Sequence, residues 1–212
     1  MSERELTAAI LALQDEGAHN VNLVTPTPYA EQLVDFLRAL RPKLRIPVVY
    51  NCGGYESVES LRALEGLVDI YLPDFKYADE ERAARYSGAS DYPAVARDAL
   101  REMLRQVGKP VFNGDGIMQR GVIVRHLVLP GGRADSIAVL RLLKEQFGTD
   151  AFLLSLMSQY TPDFAARSPY QELHRRVTTF EYDAVLRKAQ SLGFDGYFQA
   201  RSSATAAFTP EF

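Results

Sequence analysis

The chain has 212 residues, 24 basic and 27 acidic side chains, a formal net charge of −3 and 47% hydrophobic residues. That size and apolar content suit one substantial core; the mild negative charge, spread along the chain, offers no general attraction to nucleic acid or an anionic membrane surface. Cys52 is the only cysteine, which excludes an internal disulfide framework, and no apolar run has the length of a signal peptide or a membrane span, so a single cytoplasmic domain over residues 1–212 is expected.

Ser2-Glu-Arg-Glu5 has the capping-box arrangement, ahead of an apolar face of Leu6, Ile10, Leu11 and Leu13. This predicts a helix that closes at Gly17, followed by a short strand from Val21 to Val24 that runs into Thr25-Pro-Thr-Pro28. Pro28 suits a first helical turn, continued by Leu33, Val34, Phe36, Leu37 and Leu40. The grammar then repeats: Ile46 to Tyr50 reads as a strand, Asn51-Cys-Gly-Gly-Tyr55 as its terminal loop, and Ser57 as the cap of a helix to Leu64. The next strand, opening at Val68, supplies Ile70, Tyr71 and Leu72 and should stop pairing near Pro73, which has no N–H to donate. Asp74 and Lys76 follow two residues apart and so point the same way.

Helical material from Asp79 to Val107 breaks near Ser87-Gly-Ala-Ser90, Phe112 to Ile117 reads as a turn, and Val122 to Leu129 as a long strand closing in Pro130-Gly-Gly132. Asp135-Ser136 is expected to cap a helix through Phe147, before a strand from Phe152 to Met157. The polar stretch from Gln159 to Arg176 is longer than connections usually are. Thr178 or Thr179 should cap a helix to Leu192, and Gly196 to Gln199 forms a last short strand before a tail rich in Ser, Ala and Thr. Alternating strands and helices imply right-handed crossovers and a parallel sheet with helices outside. The predicted strands are too few for a closed eight-stranded barrel, and the opening helix has no strand before it; the fold class is a partial (β/α)6 TIM-like barrel of parallel strands, missing its first strand.

In such a fold the chemistry belongs at the strand carboxyl ends. Thr25, Thr27, Asn51, Cys52, Asp74, Lys76, Gly131, Gly132, Ser158 and Gln159 collect there, with Arg125 and His126 inside the long strand. Lys76 suits a carboxylate clamp or, in a dry pocket, a Schiff-base lysine, against the plain reading of a solvated lysine. Arg125 suits a ligand role, or neutralises a core carboxylate; His126 reads as a satisfied core histidine. Pro130-Gly-Gly132 is either an anion-binding helix start or a plain loop, Cys52 a small buried filler rather than a nucleophile, and no spacing of Cys, His, Asp or Glu gives a complete metal site.

The phrases Asn22-Leu-Val-Thr-Pro-Thr27, Asp69-Ile-Tyr-Leu-Pro-Asp-Phe-Lys76, Gly121-Val-Ile-Val-Arg-His-Leu-Val-Leu-Pro-Gly131 and Leu156-Met-Ser-Gln-Tyr-Thr-Pro162 resemble the radical S-adenosylmethionine enzymes, in the branch similar to pyruvate formate-lyase activating enzymes. The resemblance extends from the first helix to the Phe208-Thr-Pro-Glu-Phe212 tail. It implies a six-stranded partial barrel whose first strand leads into a CxxxCxxC loop holding a 4Fe-4S cluster. This chain has no such triplet, so the resemblance is to an enzyme that lacks its first βα half unit, inactive alone. Its complete form would cleave S-adenosylmethionine reductively to a 5'-deoxyadenosyl radical. A glycyl radical enzyme or a small molecule would be the substrate, and flavodoxin or ferredoxin the reductant.

By the same resemblance Asp74-Phe-Lys76 matches the Asp-x-Lys signature, with Lys76 meeting the methionyl carboxylate. Asn51 falls at a ribose contact, Arg125 at an active-site arginine, and Ser158 or Gln159 at a sixth-strand ribose contact. Pro26-Thr27-Pro28 replaces the usual Gly-Gly-Glu, leaving Thr25 and Thr27 as substitutes in recognising the methionyl amine. A missing first strand would expose the Val21 to Val24 edge to self-association. Two other readings are a Schiff-base barrel lyase, with Lys76 as the lysine and Asp74 as proton carrier, and a non-catalytic nucleoside-binding barrel.

Overall fold

A computed structural model describes residues 2–165 and 168–199, the side chain of Phe164 apart; the expected Ser/Ala/Thr-rich tail lies outside the described residues. In chain order the elements are α1 (Glu3–Asp15), β1 (Val21–Val24), α2 (Ala30–Leu40), β2 (Val48–Cys52), α3 (Val58–Ala63), β3 (Ile70–Pro73), α4 (Glu80–Ser87), α5 (Tyr92–Val107), β4 (Val111–Phe112), β5 (Met118–Leu127), α6 (Arg133–Phe147), β6 (Leu153–Met157), α7 (Thr179–Leu192) and β7 (Gly196–Phe198). The strand order is β1-β2-β3-β5-β6-β7, with β4 hydrogen-bonded to β5 off that path. This is an α/β fold of the partial TIM-like barrel type. None of the described helices is long and apolar enough to cross a membrane.

The chain forms two compact units, Met1–Asp74 with Ala94–Ile123, and Phe75–Pro93 with Val124–Phe212. In the first, β1, β2, β3 and the opening half of β5 pair in parallel, with Val24 opposite Asn51, Tyr50 opposite Tyr71 and Tyr71 opposite Val122. Val48, Val49, Tyr50, Ile70 and Tyr71 are all buried, as expected of parallel strands covered on both faces. Strand β2 starts two residues later than its apolar run suggests, because Pro47 has no N–H to give the ladder, and Asn51 and Cys52 therefore pair within it. Strand β4 and the start of β5 at Met118 were invisible to periodicity. The pair is antiparallel, closed by a turn in which the Asn113 side chain accepts from the Asp115 and Ile117 amides. Gly121 is required there, at φ 128°, since a Cβ would come within 2.7 Å of the Pro110 Cα.

Beneath this sheet Tyr71 donates to Gln106 at 2.6 Å, and Gln106 in turn donates to Glu102 and to the Leu61 carbonyl, each at 2.8 Å. Arg105 pairs with Glu102 and with Glu65, both at 2.8 Å. At the opposite end from the strand carboxyl termini, Asp69 takes Arg41 at 2.7 Å and the Val48 amide at 2.8 Å. These contacts fasten elements together.

In the second unit, β5 continues beside β6, where the Val128 amide donates to the Met157 carbonyl at 3.0 Å, and β6 pairs with β7 in parallel. Asp79 caps α4, which ends on left-handed Gly88, and Thr178 forms a capping box with Glu181 at the start of α7. Gly132, not Asp135 or Ser136, stands at the cap of α6, and no side chain caps it. The long connection after β6 is fastened to α4: Tyr86 donates to Glu172 at 2.7 Å, Arg85 pairs with the same carboxylate at 2.7 Å, and Arg85 lies 4.6 Å from the Tyr170 ring centroid.

Hydrogen bonds from Arg105 are the main reason the Glu102 carboxyl is held down to about 2. The unfolded chain therefore binds the proton first, so this contribution is complete above the ordinary carboxylate range and disappears as pH falls toward 2. Acid unfolding followed by circular dichroism should show a stability loss in that window, and Glu102→Gln should flatten it while lowering stability at neutral pH.

Candidate functional site

The first unit presents its strand ends as one rim. Strand β1 stops at Thr25, whose φ of 52° is rare for a β-branched residue, and the Thr25 amide donates to the Asn51 carbonyl at 2.9 Å. Two residues on, the Thr27 hydroxyl donates to Glu56 at 2.9 Å. Asn51 is half-buried, with Val24 and Leu72 opposite it, and the Asp74 amide continues the ladder to the Cys52 carbonyl at 3.0 Å. The structure thus brings Thr25, Thr27, Asn51 and Asp74 to neighbouring strand ends. It adds Glu56, which is only 3% exposed and whose Oε2 has no hydrogen-bond partner.

Burial pushes the Glu56 carboxyl up, with the Thr27 hydroxyl pulling against it. The Cys52 thiol is also driven well up, by burial first and then by the Glu56 charge, which makes it a filler of the core and a poor thiolate. Glu56 was missed because it stands between Tyr55 and the cap Ser57, in a loop read for its glycines. The usable signal was an acid directly before a helix cap at a strand carboxyl end.

In the second unit the segment after β3 is held backbone atom by backbone atom. The Phe75 amide donates to the Arg125 carbonyl at 2.8 Å, and the Phe75 carbonyl lies 2.7 Å from His126 Nδ1, a contact that requires the proton on that nitrogen. The Lys76 amide donates to the Tyr92 hydroxyl at 3.1 Å. Asp135 accepts from the Ala78 and Asp79 amides at 3.0 and 2.9 Å, which is its task in place of capping α6. The Lys76 side chain stands exposed on this fixed backbone. Arg125 is half-buried and His126 is 1% exposed, so the two occupy opposite faces of β5, and His126 is a core histidine with a positioning task.

Ser158 and Gln159 part company here. Gln199 donates to the Gln159 carboxamide oxygen at 2.9 Å and accepts from the Ser158 amide at 3.0 Å, while the buried Ser158 hydroxyl has no partner. At Pro130-Gly-Gly132 the Gly131 amide donates to Glu181 at 2.8 Å, so the protein's own carboxylate fills the place an external anion would take. An open cleft of about 380 Å³ lies alongside, lined by Arg133, Arg175 and Phe180 among others. Among the described residues no group of three His, Cys, Asp or Glu could hold a metal ion.

No protein-family model matches the sequence. The uncharacterized protein MJ0674 of Methanocaldococcus jannaschii is 30% identical over 191 residues, 89% of this chain and 51% of that protein, so the chain spans about half the length of the curated relative it matches. Among solved structures, a domain of pyruvate-formate lyase-activating enzyme from Bacteroides vulgatus aligns with TM-score 0.59 at 11% identity, over 85% of this chain and 98% of that one. Methylornithine synthase (PylB) aligns with TM-score 0.55 at 15% identity, over 92% of this chain and 57% of that one. The chain has the fold of these two enzymes. At such identities the likeness concerns the backbone path.

His126→Ala would leave the Phe75 carbonyl without its donor. It should lower the unfolding free energy by about 1 to 3 kcal/mol, the cost of a buried polar group losing its partner, read from urea denaturation. Hydrogen exchange at Phe75 and Lys76 should quicken, and equal protection in both proteins would show that His126 does not hold the segment.

Proposed function

We propose that the chain is the cofactor- and substrate-binding part of a radical S-adenosylmethionine enzyme similar to the pyruvate formate-lyase activating enzymes. The observation that carries this reading is the Asp74-Phe-Lys76 segment at the carboxyl end of β3. Its backbone is held by Cys52, Arg125, His126 and Tyr92, with Asp135 holding the Ala78 and Asp79 amides just beyond it, and it stands on a fold shared with an activating-enzyme domain.

The residues fit the sulfonium cofactor and not the cluster. A four-iron cluster needs three thiolates, and Cys52 is the only cysteine and is buried; no step through a cluster is assigned to these residues. S-adenosylmethionine presents a carboxylate, an ammonium and ribose hydroxyls. Against these the chain sets the Lys76 cation, a buried acid with an unpartnered oxygen, and the unpartnered Ser158 hydroxyl. When bound with a reductant, this cofactor supplies a 5'-deoxyadenosyl radical for hydrogen abstraction. Lys76 would clamp the carboxylate, Asn51 and Ser158 the ribose, and Arg125 and Asp74 would face the ligand, with Thr25 and Thr27 at the amino-acid end. Gln159 would act through Gln199, keeping β7 beside the Ser158 position.

In a complete cytoplasmic protein the partners would be a small-molecule or protein substrate, such as a glycyl radical enzyme, and a flavodoxin or ferredoxin. A strand added along β1 would cover Val24, which is 66% exposed; a second copy of the chain is the proposed occupant when nothing else lies there. A Schiff-base role asks for a lysine desolvated in a dry pocket, and the exposure of Lys76 favours the clamp.

Titration calorimetry of this chain with S-adenosylmethionine tests the reading. Lys76→Ala should weaken binding by about 1.5 to 3 kcal/mol, the worth of a hydrogen bond to a charged group, with an unchanged melting temperature. Lys76→Arg should restore little, because the planar fork differs in length and shape. No binding to the unaltered chain would overturn the proposal.

A further inference from the structure

The cleft at the starts of α6 and α7 has no task in the account above. Its lining comes from the second unit alone, and it is open, about 380 Å³ in volume. Glu181 is the carboxylate of that lining, and five donors already consume its charge. The Gly131 amide and one Arg175 Nη bond Oε1, each at 2.8 Å; the other Arg175 Nη, the Thr178 amide and the Thr178 hydroxyl bond Oε2, at 2.8, 2.9 and 2.8 Å. Bonds from Arg175 are the main reason the carboxyl is held below its ordinary range, so it stays ionised and committed.

Arg133 is in the reverse condition. Among the described residues its guanidinium has neither a carboxylate nor another acceptor as partner, and it lies over the Phe180 ring, 4.9 Å from the centroid. That ring is 65% exposed. A cation over an aromatic face is held by the ring's quadrupole, which uses none of its N–H donors. The cleft therefore offers donors without spare acceptors beside an apolar wall, and its complement is an anionic group carried on an apolar body.

The shape and charge of the cleft narrow what that body is. An open cleft leaves a small molecule largely in water, whereas small-molecule sites bury about 70–90% of their ligand's surface. Nucleic acid and anionic bilayers present rows of negative charge and are met by several cations at once; within this lining one guanidinium is uncommitted, on a chain of net charge −3. An acidic protein segment brings single carboxylates next to apolar side chains, and arginine and aromatic residues are the types that anchor protein interfaces. We infer that this cleft docks an acidic and apolar segment of a partner protein, with a carboxylate meeting Arg133 and a neighbouring apolar side chain packing on Phe180. The inference needs neither S-adenosylmethionine nor the first unit.

NMR titration of the full chain tests it, with a blocked hexapeptide alternating glutamate and leucine as the probe. Amide shifts should cluster at residues 131–134 and 175–181 and fade as salt rises. Arg133→Gln should weaken binding by about three- to five-fold, the range for an exposed charge pair, and Phe180→Ala should weaken it too; both side chains are exposed, so the melting temperature should hold. Arg187→Gln, which removes the same charge from an exposed position of α7 outside the cleft, should change nothing. The peptide with glutamine in place of glutamate should bind more weakly by a similar factor. Equal binding of the two peptides, an Arg133→Gln effect no larger than that of Arg187→Gln, or shifts confined to other surfaces would each overturn the inference. Tighter binding of inorganic phosphate, an oligothymidylate or phosphatidylserine vesicles at the same residues would overturn the choice of a protein segment. Should Arg133→Gln lower the melting temperature, the comparison of the two peptides on the unaltered chain still decides.

Discussion

Where β3 runs out of hydrogen bonds decides what the rim can do. Pro73 occupies the last position of the strand without an N–H, and the two amides that follow carry the ladder on, Asp74 to the Cys52 carbonyl in the first unit and Phe75 to the Arg125 carbonyl in the second. After Phe75 side chains take over from backbone, with Tyr92 receiving the Lys76 amide and Asp135 receiving those of Ala78 and Asp79. Between them the Tyr77 ring is buried and packs against Tyr86 and Tyr92. So constrained a backbone would lose little further freedom of its own if Lys76 took the proposed ligand, leaving only the side-chain rotamers to be fixed, and that is the sense in which a strand end serves better than a loop tip.

Two glutamates of the first unit show how environment sets the state of a buried acid. Glu102 and Glu56 are both buried, at 5% and 3% exposure. Around Glu102 an arginine and a carboxamide hold the carboxyl far below its ordinary range; around Glu56 burial dominates and the carboxyl moves up. The first acid is satisfied by its neighbours and ties α5 beneath the sheet. The second stays under-satisfied in a βα loop, where α/β proteins gather their ligands, and an acid perturbed by burial at such a place marks a candidate site.

Much of this was legible in the sequence, wherever a local rule and the tertiary environment agree. The β1 span from Val21 to Val24, the caps Ser2, Ser57 and Thr178, the break between α4 and α5 and the closing strand at Gly196 all rest on residues whose own neighbours decide their conformation. The misses involve distant partners. Strand β4 is two residues long and exposed, so no burial pattern announces it. Asp135 looks like a cap because it stands near a helix start, yet Ala78 and Asp79, remote in sequence, claim its side chain. The two-residue shift of β2 carries the same lesson: Ile46 is apolar enough for a strand, and the missing Pro47 amide overrules it.

The site residues divide along the same line. Position at a strand carboxyl end could be read from alternation, which placed Asn51, Asp74, Lys76 and Ser158 on the rim, but satisfaction could not, because it depends on which side chain returns from elsewhere. Gln199 decides between Ser158 and Gln159: by bonding the carboxamide of one and the backbone of the other, it leaves the serine hydroxyl as the group with capacity to spare. Glu181 does the reverse at Gly131, occupying an amide that the glycine pattern offered to a ligand. In both places the protein's own polar groups compete with a ligand for the same bonds. Glu56 and Ser158, beside β2 and β6, each keep a buried atom for which no described residue has won that competition.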